Sequence, residues 1–463
     1  MTQTPLTSAS ALLALIVAAQ GQTPAGDGRP PFSFLRQAED WSAFRASPDS
    51  TDPFDPLKHV PLTKDGGTWV SFGGVLEMRI ESWSDFGFAP QNDDSFIVSR
   101  AFAHADLHVG ERFRFFVEGK SAQSTDRDLP GGRRDLDLDT LDLQQAFIDV
   151  TLPVGDGSLR LRPGRQMLLF GAQRLVSPLP WGNTLRTWEG LTAEWRNGPW
   201  SVTGLATVFV PVDKTDFNEA EEDVTLWGVY AKRAPAKGGH GLELFALGTG
   251  RPDVTINGTT GDSDRVTLGG RAYGPLEERF DYEVELAYQL GEVGDEDVKA
   301  WSLASQLGWK PEGWAGTPRF WAGLDAASGD DEVGGDVGTF DQLFPLGHAY
   351  FGFIDVIGRQ NILDTSLGGK WSLQPATSLS LGLHSFRLME TADALYNAGG
   401  AATRTGFDSK EVGYEMDLTV DHRVGRHTTI HTGYSHFFTG DAIAESGPSQ
   451  DIDFFHFGIR TLF

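Results

Sequence analysis

The chain alternates apolar and polar residues with a period of two from Thr68 to its last residue, Phe463. In the first such segment, one parity carries Val70, Phe72, Leu76, Met78 and Ile80, and the other carries Ser71, Gly73, Glu77, Arg79 and Glu81. Alternation of this kind predicts a strand with one face in an apolar environment and the other in water. We count about eighteen such segments of about ten to sixteen residues, the length that a tilted membrane strand requires.

The connections between these segments alternate between short and long. Short turns are predicted at Gly110-Glu111, Leu152–Ser158, Asn197-Gly198, Pro235–Gly239, Gln374-Pro375 and Val424-Gly425. Long connections are predicted at Ser84–Asp94, Ser121–Leu138, Val212–Glu222, Gly250–Ser263, Gly329–Gly358, Glu390–Asp408 and Thr439–Gln450. Outer-membrane barrels have short periplasmic turns and long extracellular loops in this way. The predicted fold is therefore all-β: a closed, antiparallel transmembrane β-barrel of about 18 strands.

The two ends of the chain fit an exported barrel. The apolar run Ala11–Ala19, followed by Gly21, predicts a signal peptide over residues 1–21, with a short buried helix as the alternative. Residues 22–67 are rich in Pro and Asp, and Pro53, Pro56 and Pro61 forbid a long helix or a central strand there, which indicates an extended periplasmic leader. Residues 68–463 form the barrel, and an aromatic residue ends its last strand, a feature similar to the signal that outer-membrane assembly machinery reads. We expect a monomer in a Gram-negative outer membrane.

Composition narrows the classes of function. The 463 residues carry a formal net charge of -26, which argues against nucleic-acid binding because phosphate contacts need a basic surface. The absence of cysteine excludes disulfides, thiolate metal sites, iron–sulfur clusters and cysteine nucleophiles. His104 and His108 share a strand face, where filling the lumen is a simpler interpretation than a metal site. No cofactor and no metal are expected.

Catalysis finds no support among the serine and histidine residues. The neighbours His384–Ser385 and Ser435–His436 point to opposite faces of a strand, and His431 lies about two pleat repeats from Ser435. The chain has no G-x-S-x-G, H-E-x-x-H or phosphate-loop motif. The protein is therefore predicted not to be an enzyme.

Much of the excess negative charge falls in the predicted loops. Its densest stretches are Asn218–Asp223, Asp295–Asp297 and Asp330–Asp336. These predict a solvated or cation-bridged outer surface that faces lipopolysaccharide. The sequence DLDLD at 135–139 leaves a calcium site open, although alternation at a strand end also places carboxylates together on one wet face.

The inward face of the barrel would set selectivity. Strand parity directs eight arginines of the first six strands to the lumen: Arg79, Arg100, Arg112, Arg114, Arg160, Arg162, Arg186 and Arg196. It also directs acidic residues of strands eleven and sixteen there: Glu283, Glu285, Glu415, Asp417 and Asp421. One interpretation is a field across the channel, with one basic and one acidic wall. The other is local pairing of the arginines with Glu77, Asp106, Glu118, Asp149 and Glu194.

Several blocks of the chain resemble a known family. They are DPFDPLKHVPL (52–62), SFGGVLEMRIES (71–82), LRLRPGRQMLLFGAQRL (159–175), WGNTLRTWEGLTAEW (181–195) and FDQLFPLGHAYFGFIDVIGRQNILD (340–364). Together they resemble the alginate-export family of outer-membrane channels, over about residues 34–463. The resemblance implies an eighteen-stranded barrel whose electropositive constriction passes an acidic polysaccharide outwards. It points to Arg79, Arg160, Arg162, Arg165, Arg174, Arg186 and Arg359 as lumen or constriction residues.

Two of these blocks carry further expectations. Pro163-Gly164 predicts a bulge that re-aims Arg165 after Arg160 and Arg162 have faced the lumen, so the parity of Arg165 is left open. Phe340–Ile357 is long and apolar without alternation, and is expected to fold into or over the barrel mouth.

The sequence favours export of an anionic, alginate-like polysaccharide through an arginine-lined lumen. Guanidinium groups suit this role because they bind carboxylates through two parallel hydrogen bonds. The alternative is a diffusion porin for small carboxylates or other nutrients, and a third interpretation gives the loops a role in adhesion or surface structure. The expected partners are these anionic solutes, outer-membrane lipid with lipopolysaccharide, and the barrel assembly machinery.

Overall fold

A computed structural model describes residues 29–46 and 50–463 of the chain. Eighteen barrel strands, labelled β1–β18 in chain order, account for most of it. Their bounds are Thr68–Ser84, Asp94–Val109, Phe113–Ser124, Asp139–Val154, Gly157–Gln166, Thr187–Asn197, Trp200–Val210, Glu221–Arg233, Gly241–Ile256, Thr259–Pro275, Phe280–Val293, Glu296–Trp309, Arg319–Ala327, Ile362–Gln374, Thr377–Leu388, Glu411–Val424, Thr428–Thr439 and Ile452–Leu462.

The strands form one closed ring. Each strand pairs antiparallel with the next along the chain, from β1 with β2 to β17 with β18. The first and last strands also pair, in a register that runs from Val75 opposite Leu462 to Ser84 opposite Asp453. This closure leaves the barrel without an open sheet edge, as a strand structure in lipid requires. The predicted antiparallel barrel of eighteen strands is confirmed.

The connections divide the barrel into two ends. The predicted short turns lie together at one end with Phe463, and most of the predicted long loops lie at the other. The prediction of a long loop at Gly250–Ser263 is wrong, because β9 and β10 continue through it to a two-residue turn at Asn257 and Gly258. Both turn residues have positive φ, 42° and 89°, as a tight hairpin turn requires.

The two faces of the strands differ as the alternation predicts. Apolar side chains such as Leu76, Leu286 and Leu367 are more than half exposed on the outer face. Polar and charged side chains of the opposite parity are buried in the lumen, for example Arg79, Asp149 and Glu285. Since lipid covers the outer face, a large apolar area there is expected.

Loops from the long-loop end supply much of the apolar core inside the barrel. Phe340, Leu343, Phe344, Phe351 and Ile357 are buried with Trp188 of β6, Leu247 of β9 and Phe437 of β17. The expectation that Phe340–Ile357 folds into the mouth agrees with this position. The connection 389–410, with a short strand pair Leu395–Tyr396 and Ala402–Arg404, packs against the same loop, where Gln342 donates to the carbonyl of Ala398.

A second lumen loop, residues 167–186, joins β5 to β6 and was not predicted. It meets the Phe340–Ile357 segment through a parallel bridge between Val176 and Phe344. Its Leu175, Val176 and Leu168 join the same buried apolar cluster. The lumen is therefore narrowed by two loops that support each other.

The leader also enters the barrel. It contains 3-10 turns at Arg36–Ala38 and Asp55–Leu57, and Val60–Pro61 pairs with the start of β1. Three further helices of the described residues are short: Phe86–Phe88, in the β1–β2 loop, Gly347–Ala349, in the β13–β14 loop, and Asp441–Ser446, in the β17–β18 loop. Among the described residues, none of the helices has the length and apolarity to cross a membrane. The predicted signal peptide, 1–21, lies outside the described residues.

Candidate functional site

Arg79 of β1 and Arg100 of β2 face the lumen, where both bind carboxylates and the 167–186 loop. Arg100 Nη2 lies 2.7 Å from Glu77 Oε2, and its Nη1 donates to the carbonyl of Gly182 at 2.6 Å. Arg79 Nη2 lies 2.7 Å from Glu81 Oε1, and its guanidinium sits 3.9 Å from the ring centroid of Trp181. Both arginines are buried, so they hold the loop against the wall.

Arg114 of β3 and Arg162 of β5 form ion pairs within the wall. Arg162 binds Asp149 through two parallel hydrogen bonds of 2.6 and 2.7 Å. Arg114 binds Asp106 in the same way, with both distances 2.7 Å, and its Nη1 lies 3.6 Å from Asp149. Because these pairs satisfy the guanidinium groups geometrically, local pairing describes this wall better than a free basic field.

Arg160 and Arg196 lie at the short-turn end of the lumen and are more accessible. Their guanidinium groups share one carboxylate, Glu194. The side chain of Arg196 is 60% exposed and that of Arg160 is 31% exposed. Two cations with one anion leave positive charge at this mouth.

From this mouth, a row of mostly charged side chains runs around the wall of the lumen. Cross-strand register places Arg196 opposite Ser201, Ser201 opposite Lys232, and Lys232 opposite Glu243. The same row continues from Glu243 to Arg271 and then to Glu285. Residues that pair directly share a face of the sheet. The row therefore runs around the lumen over β6–β11, rising from the short-turn end towards the middle of β11.

Lys232 is the second accessible cation of this row, after Arg196. Its side chain is 48% exposed, and its nearest carboxylate oxygen, Oε1 of Glu243, is 3.9 Å away. Glu243 is bound more closely by Arg271, at 2.9 and 3.0 Å. Neither Lys232 nor Arg271 was among the predicted site residues. The parity that placed Glu283 and Glu285 in the lumen would have found both, had it been applied to β8 and β10.

Arg165 differs from the expectation that it lines the lumen. It pairs with Ala146 and Glu189, in the parity of Leu191, which faces lipid. The predicted bulge is also absent: Phe147 pairs with Gly164 and Val150 with Leu161, so the register is unchanged across Pro163. With no extra residue to re-aim the strand, Arg165 falls on the outer face.

Three predicted arginines lie in or beside the lumen loops. Arg174 is buried and binds Glu283 and Glu285. Arg359 is buried and binds Asp325 at 2.6 Å. Arg186, just before β6, donates to the carbonyl of Pro345 at 2.7 Å. Burial, and then repulsion from Arg251, lowers the pKa of Arg186 to about 10, which leaves it charged at neutral pH.

Arg112, which parity also directed inward, lies in the turn between β2 and β3. It is therefore not a lumen residue.

The acidic residues of β16 receive hydrogen bonds from the Phe340–Ile357 loop. Glu415 Oε1 accepts from the backbone N–H of Ile354 at 2.9 Å, and Asp417 Oδ1 accepts from that of Phe353 at 3.4 Å. Gly352 allows this approach, since a Cβ there would overlap the carboxyl group of Glu415 and its φ is +83°. These carboxylates therefore hold the Phe340–Ile357 loop in place through hydrogen bonds to its backbone.

The DLDLD stretch does not gather its carboxylates around a cation. Asp139 pairs with Lys120 at 2.7 Å, and Asp137 pairs with Arg134 at 2.8 Å. In the part of the chain that the structure describes, no group of three or more metal-type side chains is found. The arrangement therefore favours ion pairing in the loop.

Comparison with solved structures agrees with this architecture. The fold is similar to Pseudomonas aeruginosa OccK3 (OpdO), with a TM-score of 0.56, 11% identity and coverage of 85% of this chain and 95% of that one. It is also similar to Acinetobacter baumannii OccAB2, with a TM-score of 0.55, 10% identity and coverage of 85% and 98%. For Pseudomonas aeruginosa OccD3 (OpdP) the values are 0.56, 12%, 88% and 93%.

The comparison with curated proteins gives no match. The model of a protein family described as Alginate export matches residues 68–456, which cover the barrel from β1 into β18. Fold and family are those of channels, and both point to the Gram-negative outer membrane. The chain belongs to the alginate-export family of outer-membrane β-barrel channels.

Proposed function

We propose that this channel passes anionic, carboxylate-bearing saccharide chains, with outward movement of an alginate-like polysaccharide as its function. The observation that carries the proposal is the excess of accessible cations at the short-turn mouth. There Arg160 and Arg196 share Glu194, and Lys232 lies in the same row of the lumen wall. Cations in a narrow channel attract anions more strongly than the same charges do in bulk water.

The row beyond the mouth suits movement better than tight binding. From Lys232 inwards, cations alternate with carboxylates: Glu243, Arg271 and Glu285. These three side chains are buried in ion pairs with one another and with Arg174, so beyond Lys232 they offer a solute no free cation that would hold it strongly. Conduction requires this combination of entry and easy release.

The second candidate is diffusion of small carboxylates. The narrowing of the lumen by the 167–186 and Phe340–Ile357 loops favours it. Block by oligouronates of increasing length separates the two candidates. A path for a polymer gives block whose dwell time grows with chain length, whereas a path for small solutes gives the same weak block by monomer and oligomer.

Ion selectivity tests the charge argument. The unmodified channel should prefer anions in reversal-potential measurements across a tenfold KCl gradient. Replacing Arg196 and Lys232 by Gln should shift the reversal potential towards that of a cation channel. Arg233→Gln is the matched control, since Arg233 neighbours Lys232 but pairs with Leu242 and Trp200 on the outer parity. Cation preference in the unmodified channel would overturn the proposal.

A further inference from the structure

The leader occupies the lumen at the short-turn end, and its tip reaches deep into the barrel. Gln37 accepts a hydrogen bond of 3.1 Å from Gln145 of β4. Gln145 lies nine residues from the short-turn end of that strand at Val154, which is about 30 Å along the strand. Phe34 and Leu35 pack against Phe102 of β2 and against Met167 and Leu185 of the lumen loop. The leader therefore reaches the loop from the opposite end of the channel.

The leader is held where the barrel closes. Arg36 Nη1 donates to the carbonyl of Gly74 in β1 at 2.7 Å, and Nη2 donates to the carbonyl of Phe463 at 2.8 Å. Arg36 Nε lies 2.7 Å from Glu39 Oε1. Arg36 is 2% exposed, so this guanidinium is nearly removed from water. One side chain thus fastens the leader to the first and last strands together.

The leader is also coupled to the lumen loop through one side chain. Gln145 Nε2 donates both to Gln37 and to Glu118 Oε2, the latter at 2.9 Å. The Oε1 of Gln145 accepts from the backbone N–H of Met167, the first residue of the loop, at 3.1 Å. Withdrawal of Gln37 removes one of the contacts that fix the side chain of Gln145. Since Gln145 also holds Met167, the start of the 167–186 loop is then fixed less firmly.

Two features favour a leader that can leave its site. Lys58 is buried: its Nζ donates to the carbonyl of Phe72 at 2.6 Å and lies over the rings of Trp41 and Phe32. Burial lowers its pKa to about 8, although the charges of Glu39 and Asp52 oppose this shift. Burying an ammonium that has no carboxylate within 4 Å among the described residues opposes docking. Residues 62–65 are exposed and, together with Gly66 at a φ of +72°, join the leader to β1.

We propose that the leader, residues 29–46 and 50–61, is a displaceable plug that closes the short-turn half of the channel and holds the 167–186 loop in place. The contacts of the plug lie on β1–β4, on Leu462 and Phe463, and on the turn 425–427, where His427 Nε2 lies 3.0 Å from Asp52 Oδ2. The charged row of Lys232 lies on β6–β11. The plug thus narrows the channel from the side opposite that row, whatever solute the channel carries.

A single introduced thiol tests displacement, because the natural chain has no cysteine. Gln37→Cys channels in a planar bilayer are exposed to a sulfonate-bearing methanethiosulfonate from the short-turn side. We expect slow labelling that raises the mean conductance at least about twofold, because the adduct prevents re-docking. Lys64→Cys, in the exposed connection between the leader and β1, is the matched control and should label rapidly without any change in conductance. A Gln37→Cys channel that stays unlabelled while the Lys64→Cys channel reacts would show that the leader is a fixed structural part.

Arg36→Ala provides the second test. Combined with Gln37→Cys it should speed labelling at least about tenfold and should speed hydrogen exchange in the 167–186 loop. Arg45→Ala is the control in the leader, because the hydrogen bonds of Arg45 to described residues go to the carbonyls of Ser42 and Phe44, which also belong to the leader. Unchanged labelling and conductance in a folded Arg36→Ala channel would overturn the proposal that the leader is a displaceable plug. Neither readout uses ion preference, so the proposed function and the plug can fail separately.

Discussion

At the scale of single residues, pairing geometry decides which arginines are available to a solute. Arg162 and Arg114 each form two parallel hydrogen bonds to one carboxylate, whereas Arg196 leaves most of its side chain exposed. Sequence parity placed all three in the lumen but does not show which carboxylate each meets. That depends on cross-strand neighbours, such as Glu194 opposite Arg160, which come from register.

Gly352 gives a prediction at this scale. Gly352→Ala should unseat the Phe340–Ile357 loop from Glu415, because the new Cβ overlaps the carboxyl group and the positive φ costs about 1 kcal/mol or more. We expect a higher mean single-channel conductance in planar bilayers. Gly334→Ala, in the same connection between β13 and β14, is the control: its φ is +78°, but nothing lies within 4 Å of its Cβ position. Equal conductance in both variants would mean that the loop does not limit flow.

At the scale of elements, the two largest loops meet through a buried carboxylate. Asp393 Oδ2 accepts from the backbone N–H of Asp330 at 3.0 Å and from the hydroxyl of Thr339 at 2.6 Å. Burial, and also the nearby charge of Asp393, raises the pKa of Asp330 to about 6. The protonated form is therefore favoured when the loops are packed, and ionisation of Asp330 weakens the packing.

The sign of this shift predicts a pH dependence. Loop packing should be strongest below about pH 4 and should weaken as the pH rises through about 6, since the pKa of a free Asp is near 3.9. The protection factors of residues 328–361, which are the intrinsic rate of hydrogen exchange at each pH divided by the observed rate, should be lower at pH 7.5 than at pH 5. Asp330→Asn should keep the high protection factors at both pH values. Asp331→Asn, at the exposed neighbouring position, should leave the pH dependence intact, and loss of the dependence there would contradict the assignment.

The elements also show where sequence patterns stop being informative. The alternation of apolar and polar residues predicted the strands, because lipid and lumen impose opposite polarity on successive residues. The Asn257-Gly258 dipeptide is a strong hairpin signal that could have corrected the long loop expected there. The positions of the 167–186 loop and the leader could not be predicted, because they depend on residues far along the chain: Phe344 for the loop, and Gln145 and Phe463 for the leader.

At the scale of the whole molecule, stability depends on the lipid-facing belt. Leu286 lies in the middle of β11 with 56% of its surface exposed, and Leu276 lies in the turn before β11 with 55% exposed. Leu286→Arg should lower the free energy of unfolding in lipid vesicles by about 2–4 kcal/mol, and Leu276→Arg by about 0–1 kcal/mol. Denaturant titration read by heat-modifiable gel migration measures both values. Similar losses at the two positions would argue against this placement of the membrane.

The two hydrogen bonds by which Arg36 joins the leader to the first strand and to Phe463 have a consequence for the order of assembly. Its two carbonyl acceptors, on Gly74 and Phe463, belong to opposite ends of the sequence and meet only when the first strand joins the last. An open sheet offers one acceptor without the other, so the complete binding site for the leader does not exist before closure. Complete docking of the leader thus requires a closed barrel. A barrel still awaiting its final strand lacks the Phe463 carbonyl that Arg36 binds and therefore holds the leader less firmly.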